Sequence, residues 1–285
     1  MNALRLLSPL LVLMLSGCQP DSGSTSSPDS RLQERVIAAL DGEHRSTESR
    51  TRDDARKPAE TLAFWGLQPD MTVVEVWPGG GWYTEILAPV LRDEGTLIAA
   101  GFPDEPTPAW RAAMVRQYQE KLAAHPQVYD RVHVVPFDPP SLTQLAEPGS
   151  ADMVILSRHF HNFIRNDIVD DVLNAARDAL RPGGILAVVQ HRAQPDAIPE
   201  KEKRTGYVRE QWLIDTVEAA GFTLDASSPL HHNPRDSRDH EDGVWALAPS
   251  LRSCQGLDGP QRDTCVSTFS LIGESDRMTL RFIRQ

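Results

Sequence analysis

Residues 73–84 read Val-Val-Glu-Val-Trp-Pro-Gly-Gly-Gly-Trp-Tyr-Thr, and no other stretch narrows the possible folds as much. β-Branched residues and an acid lead into three consecutive glycines. An amphipathic run follows through Trp82, Ile86, Leu87, Val90 and Leu91. The pattern predicts a strand, a tight turn and a helix. Gly79, Gly80 and Gly81 let the backbone take positive φ and approach a ligand with no Cβ in the way. A helix behind the turn points free N–H groups at whatever sits there. Open α/β sheets hold nucleotide-like cofactors in this manner. The competing reading is a structural strand–helix turn, although three glycines exceed what such a turn needs. Glu75 is expected to orient the turn by accepting backbone N–H bonds.

The rest of the chain repeats the strand–helix rhythm. A helix is expected over 31–40, a charged irregular stretch over 41–57, and a helix over 58–65 with Pro58 in its first turn. Strands are expected at 72–77, 96–100, 132–135, 152–156, 185–189, 222–226 and 278–283. Helices are expected at 82–92, 108–124, 167–180 and 208–220. Such alternation predicts a parallel, doubly wound sheet. The strand at 152–156 is nearly all apolar, so both of its faces should be buried. Residues 231–275 are weakly patterned and read as an insertion before the last strand.

The N-terminus predicts export. Arg5 precedes an apolar stretch from Leu6 to Leu15, which as a helix rises only about 15 Å, too short to span a bilayer. Leu15-Ser16-Gly17-Cys18 resembles the bacterial lipoprotein signal, in which the cysteine is acylated and becomes the mature N-terminus. That resemblance implies a signal peptide at 1–17 and a lipidated Cys18 opening a tether at 18–30. Gln19 after the cysteine favours the outer membrane, so the domain at 31–285 would float beside a lipid surface on the periplasmic side. The tether's Ser, Gly, Pro and Asp cannot form a core, and its reach is about 20 Å. In an oxidising compartment Cys254 and Cys265 read as a disulfide, and their spacing is poor for a metal pair. The net charge of −11 argues against a nucleic-acid partner, which requires a basic face.

Three motifs together resemble the class I S-adenosylmethionine-dependent methyltransferases from about residue 53 onward. They are Glu75-Val-Trp-Pro-Gly-Gly-Gly81, Ala179-Leu-Arg-Pro-Gly-Gly-Ile185 and Glu218-Ala-Ala-Gly-Phe222. More narrowly, Arg56-Lys-Pro-Ala-Glu-Thr-Leu62 and Gly273-Glu-Ser-Asp-Arg-Met-Thr-Leu280 resemble exported bacterial "predicted methyltransferase" lipoproteins. The resemblance implies a Rossmann-like α/β fold, a doubly wound, mostly parallel seven-stranded sheet whose last strand is antiparallel. It also implies S-adenosyl-L-methionine as cofactor and a small-molecule acceptor. The cofactor would lie over Glu75, Gly79, Gly80 and Gly81, with its ribose near Asp104 and its adenine near Asp138.

Two positions depart from the family pattern. Trp77 stands where the first motif glycine belongs, so its indole either stacks on a cation or fills the site. The acid that accepts the ribose hydroxyls is displaced, since Asp104 comes three residues late. The Asp138-Pro139-Pro140 stretch reads as a turn. His159 and His161, after the fourth strand, are candidate general bases, with His191 on the same edge. The same histidines can instead bind a metal with His231, His232, Asp236 or His240, as in a metal-dependent hydrolase, or merely hold loop backbones. Arg158 and Arg192 flank this edge and can hold an acidic substrate group. The alternative to a transferase is a lipoprotein that kept the fold for binding and lost the reaction.

Overall fold

The computed structural model describes residues 28–105, 108 and 110–285. The signal peptide, Cys18 and most of the tether lie outside the described residues. The helix α1 (Pro28–Asp41) is followed by α2 (Thr47–Arg50), α3 (Asp53–Arg56) and α4 (Pro58–Trp65). Then come β1 (Thr72–Val76), α5 (Thr84–Leu91), β2 (Thr96–Gly101), α6 (Trp110–Ala124), α7 (Pro126–Tyr129), β3 (Val132–Pro136) and β4 (Ala151–Ser157). The chain continues through α8 (Phe160–Asn166), α9 (Val169–Ala179), β5 (Leu180–His191), α10 (Pro199–Thr205), α11 (Glu210–Ala219) and β6 (Phe222–Ser228). It closes with α12 (Gly259–Ile272) and β7 (Arg277–Arg284).

The seven strands form one sheet in the order β3-β2-β1-β4-β5-β7-β6. The first five in that order run parallel, and β7 is antiparallel to both β5 and β6. The order reverses between β1 and β4. Such a switch point opens a crevice at the carboxyl ends of the strands, where open α/β sheets take ligands.

Period-two alternation sends each central strand's side chains into two separate cores. Met153 and Ile155 of β4 join Leu62, Trp65, Ile86 and Leu87, the layer made with α1, α4 and α5. Val154 and Leu156 join Phe160, Phe163, Leu173 and Leu213, the layer made with α8, α9 and α11. The expectation that this strand is buried on both faces therefore holds. Each fully buried Leu or Ile in these layers contributes about 1.5–3 kcal/mol of hydrophobic stabilisation.

Several regions differ from the sequence expectation: α7 and α10 were not expected, and β5 begins at Leu180 rather than at 185. The charged stretch at 41–57 is not irregular. It folds into α2 and α3, and it buries Arg45 and Arg56 to 4% and 3% exposure. The expected helix at 167–180 is preceded by a separate helix, α8, which places Phe160 and Phe163 on the core side at i, i+3 spacing. It ends at Asp167, which has φ +56. The insertion at 231–275 carries α12, none of whose residues is buried, and the expected Cys254–Cys265 disulfide joins its middle to the preceding turn. Among the described residues no helix is long and apolar enough to cross a membrane.

Candidate functional site

β1 delivers the chain to the switch point, and the Trp77 N–H continues its ladder by donating to Ala100 O at 2.7 Å. The chain then turns through Trp77, Gly79 and Gly81 at φ +50, +58 and +75. A Cβ placed on Gly79 or Gly80 would meet nothing within 4 Å, so the backbone here faces open space. At Gly81 a Cβ would press Tyr118 and Lys121 at 3.1 Å, so that glycine serves the packing of α6 instead.

Trp77 holds a left-handed conformation that costs a bulky residue roughly 1–2 kcal/mol. Its surroundings offset the cost. The indole is 5% exposed and packs on Phe102 at 4.9 Å and Phe163 at 5.0 Å between centroids. Its Nε1–H donates to Phe137 O at 3.1 Å. The indole is thus turned into the core and leaves the space beside Gly79 open, so it does not close the site.

Two cavities meet at this turn. Both touch Trp77, Pro78, Gly79 and His159. The first, of 460 Å³, is largely apolar, with Phe102, Trp110, Met114 and Val115 in its wall. Asp104 lies on it and accepts from Gln119 Nε2 at 2.9 Å. Asp138 does not line either cavity. Its Oδ1 pairs with Arg111 at 2.8 Å, and the Arg111 guanidinium lies 4.2 Å over the Phe102 ring.

The second cavity, of 450 Å³, is mixed in character and is bordered by Arg52, Arg56, Arg158, Glu75, Tyr83 and Ser157 among others. Glu75 is buried, and loss of hydration pushes its carboxyl up to about 7. It accepts from Thr84 Oγ1 at 2.6 Å, and the Tyr118 hydroxyl lies 3.1 Å from that same Thr84 oxygen. Glu75 therefore steadies the turn through the first residue of α5. The backbone N–H bonds expected of it are not formed.

The two candidate histidines are placed differently, His159 on the walls of both cavities and His161 away from them. His159 Nε2–H donates to Trp77 O at 2.8 Å, and its Nδ1 accepts from Asn162 Nδ2 at 3.2 Å, which fixes the tautomer. Both ring nitrogens are committed to holding the turn. Burial and the nearby Arg158 charge hold its pKa at about 4, so the ring is neutral at pH 7. His161 touches neither cavity. It is 5% exposed, sits 3.3 Å from Gln190 Nε2 through Nδ1, and burial holds it at about 3. Its ring lies between His191 and Trp245. His191 turns its Nδ1 to Ser275 Oγ at 2.5 Å.

The metal alternative is not assembled. His231 spans Thr279 Oγ1 and Arg56 O at 2.6 and 2.8 Å, His232 contacts Asp276, and His240 contacts Asp236. No three His, Cys, Asp or Glu side chains converge as a metal site among the described residues.

These buried imidazoles carry a pH signature. His159 and His231 are held at about 4, and His161 at about 3, against an ordinary value of 6.5. The unfolded chain therefore binds more protons between these limits. Stability from these groups is complete above about pH 6.5 and is lost as pH falls toward about 4. Glu274, held at about 2 by Arg277, Arg56 and Arg52 against its burial, adds a further loss below its ordinary 4.5. Glu75 acts oppositely, its contribution fading as pH rises through 7. Urea midpoints measured in steps from about pH 7 to about pH 4 should fall steadily, and a flat profile would show that the histidines titrate freely.

Sequence reasoning missed Arg52, and it met Arg56, Glu274 and Arg277 only within the motifs Arg56–Leu62 and Gly273–Leu280, with no role assigned to them.

No protein-family model and no curated protein matches the chain. Solved structures do. The cyclase SpnF matches with a TM-score of 0.54 at 14% identity, over 89% of this chain and 93% of that one. The fold is that of the class I methyltransferases. A geranyl diphosphate C-methyltransferase from Streptomyces coelicolor A3(2) matches with a TM-score of 0.52 at 13% identity, over 87% and 88% of the two chains. The mitomycin 7-O-methyltransferase MmcR matches at 0.50 and 14%, over 91% of this chain and 61% of that one. In this fold Gly79 sits at the sheet's switch point and borders both cavities, and Gly80 borders the second.

Proposed function

We propose that the protein is an S-adenosylmethionine-dependent methyltransferase acting on a small molecule. One observation carries this reading: unfilled backbone at Gly79 and Gly80, at the switch point, opening to cavities on both sides. The residues present fit the cofactor. The first cavity suits an adenosine, with Phe102 and Trp110 for the flat base and Asp104 for ribose hydroxyls. The turn between the cavities leaves room for the thinner sulfonium end. When bound, the cofactor supplies a methyl group already activated on sulfur.

The chain's own part is alignment and exclusion of water. His159 remains neutral and ties the Trp77 carbonyl to α8, which fixes the wall between the cavities. Asp138 is held by Arg111, so its role is to brace Phe102 through that guanidinium. With both nitrogens of His159 engaged, the acceptor that fits is one whose nucleophile needs no proton removed by histidine.

A second reading rests on Trp77: the fold was kept for binding and the reaction lost. The cyclase SpnF, among the fold's neighbours, is named for a different chemistry on this fold. Calorimetric titration of S-adenosylmethionine and S-adenosylhomocysteine into residues 18–285 decides between the two. Micromolar binding supports the transferase. No binding at millimolar ligand, in a protein that melts cooperatively, sinks it.

We also infer export and acylation at Cys18, from the lipoprotein signal alone. Cys18→Ser is expected to move the protein from the membrane pellet to the soluble fraction. Retention in the pellet after a carbonate wash would overturn this.

A further inference from the structure

We propose that the second cavity binds a multiply charged oxyanion, the acidic part of the acceptor. Only the word acceptor rests on the methyltransferase reading; the anion site stands on its own geometry. Arg52, Arg56 and Arg158 border the cavity, and Arg277 lies behind them. Three of these four guanidiniums pair with Glu274, Arg52 at 2.7 Å, Arg277 at 3.1 Å and Arg56 at 3.6 Å, and Arg158 does not. The other carboxylates nearby do not balance the set. Asp276 lies against Arg192, Arg238 and His232. Glu85 is taken by Arg45 and Lys121. Glu75 is uncharged for much of its time near neutrality, and Glu48 is solvent-exposed at the rim.

Two side chains on this wall keep buried donors without a hydrogen-bond partner. Arg56 is 3% exposed, and its Nε and Nη2 make no hydrogen bond. Ser157 Oγ is buried on the same wall without a partner. Arg158, half-buried on this wall at φ +62, has no side-chain hydrogen bond or ion pair among the described residues. Burial and the neighbouring Arg52 charge lower its pKa to about 10, against the pull of Glu274. Buried cations and donors left unpaired are costly, and an oxyanion satisfies all of them at once. Guanidiniums match phosphate and carboxylate oxygens in pairs, which suits them to this task better than lysines. In a chain of net charge −11, a concentration of cations in one cavity is a local feature that overall composition does not explain.

The cofactor's own carboxylate does not account for the set. S-adenosylmethionine brings a sulfonium and an ammonium with that one carboxylate, a net positive ligand that leaves the surplus in place. A phosphoryl group or a di- or tricarboxylate would neutralise it.

The test is titration of inorganic pyrophosphate, and separately of succinate, into residues 18–285 at constant ionic strength. Arg158→Gln and Arg158→Lys are measured in parallel, and S-adenosylhomocysteine is titrated into each chain. Saturable binding of one or both probes is expected, and the preferred probe identifies the phosphoryl or carboxylate class. Arg158→Gln should weaken that binding by about tenfold or more, the loss of a charge-assisted hydrogen bond, and Arg158→Lys by less. The ligand-free melting temperature of Arg158→Gln should stay level or rise, because an unpartnered cation has been removed. A purely structural arginine would instead lower it. No saturable binding of either probe at millimolar concentration, or binding indifferent to Arg158→Gln, overturns the proposal. Pyrophosphate or succinate binding without S-adenosylhomocysteine binding retains the anion site and rejects the transferase.

Discussion

A Gly79→Arg chain is expected to fold and to lose S-adenosylhomocysteine binding by about a hundredfold or more, a free-energy difference near 3 kcal/mol. The asymmetry follows from two facts at one residue. A Cβ at Gly79 meets nothing within 4 Å, so the new side chain has room in the free protein. Its backbone sits at φ +58, so the substitution costs only about 1–2 kcal/mol of strain. The room it takes is the space between the two cavities. Calorimetry measures the binding and a thermal melt measures the fold. An affinity within threefold of the parent chain would remove the glycine turn from the site.

Arg45→Met should produce the largest loss of stability, about 3–5 kcal/mol, because it leaves buried carboxylates uncompensated. Arg45 is 4% exposed and donates to Asp53 at 2.6 and 2.8 Å and to Glu85 at 3.3 Å. Glu85 is fully buried at the start of α5, and its remaining partners are Lys121 and Ser49, the latter at 3.0 Å. Through this arginine the segment of α2 and α3 is fastened to the helix behind the glycine turn. The same segment carries Arg52 and Arg56 into the cavity wall, so the loss should also reach ligand binding. Urea unfolding gives the number. Replacing Glu85 by Met in the same chain should recover part of it, since an apolar pair avoids the orphaned charge. A loss below about 1 kcal/mol for the single variant would mean that solvent reaches the network.

The strands, the glycine turn and the doubly wound order were legible because each rests on local periodicity. β4 shows this well: a run of apolar residues can satisfy two cores only by being buried on both sides. The helix α8 was not legible, because its Phe160 and Phe163 span a single turn and two histidines and an asparagine accompany them. The site was legible in part. Gly79, Gly80 and Asp104 do border cavities, whereas His161 and Asp138 are placed elsewhere by tertiary contacts. The arginine cavity was hidden for a different reason. Arg52 and its partner Glu274 are 222 residues apart in the chain, and an Arg-rich stretch looks like solvated surface until its counter-charge is found. The indole of Trp77 was ambiguous in sequence because only the core around it decides which way a ring turns at positive φ.

The antiparallel strand β7, second from the edge of the sheet, has a consequence for the order of events during synthesis. β7 lies between β5 and β6, pairing through Ile185↔Ile283 on one side and Phe222↔Arg284 on the other. Until residues 277–284 have emerged, β6 has no neighbour to join and the long edge of β5 is bare. Met278, Leu280 and Phe282, all fully buried in the finished protein, are then missing from the core. A chain stalled a few residues early would present an open, apolar sheet edge to other chains and to proteases. The central sheet is therefore joined to β6 only when residues 277–284 take their place between β5 and β6.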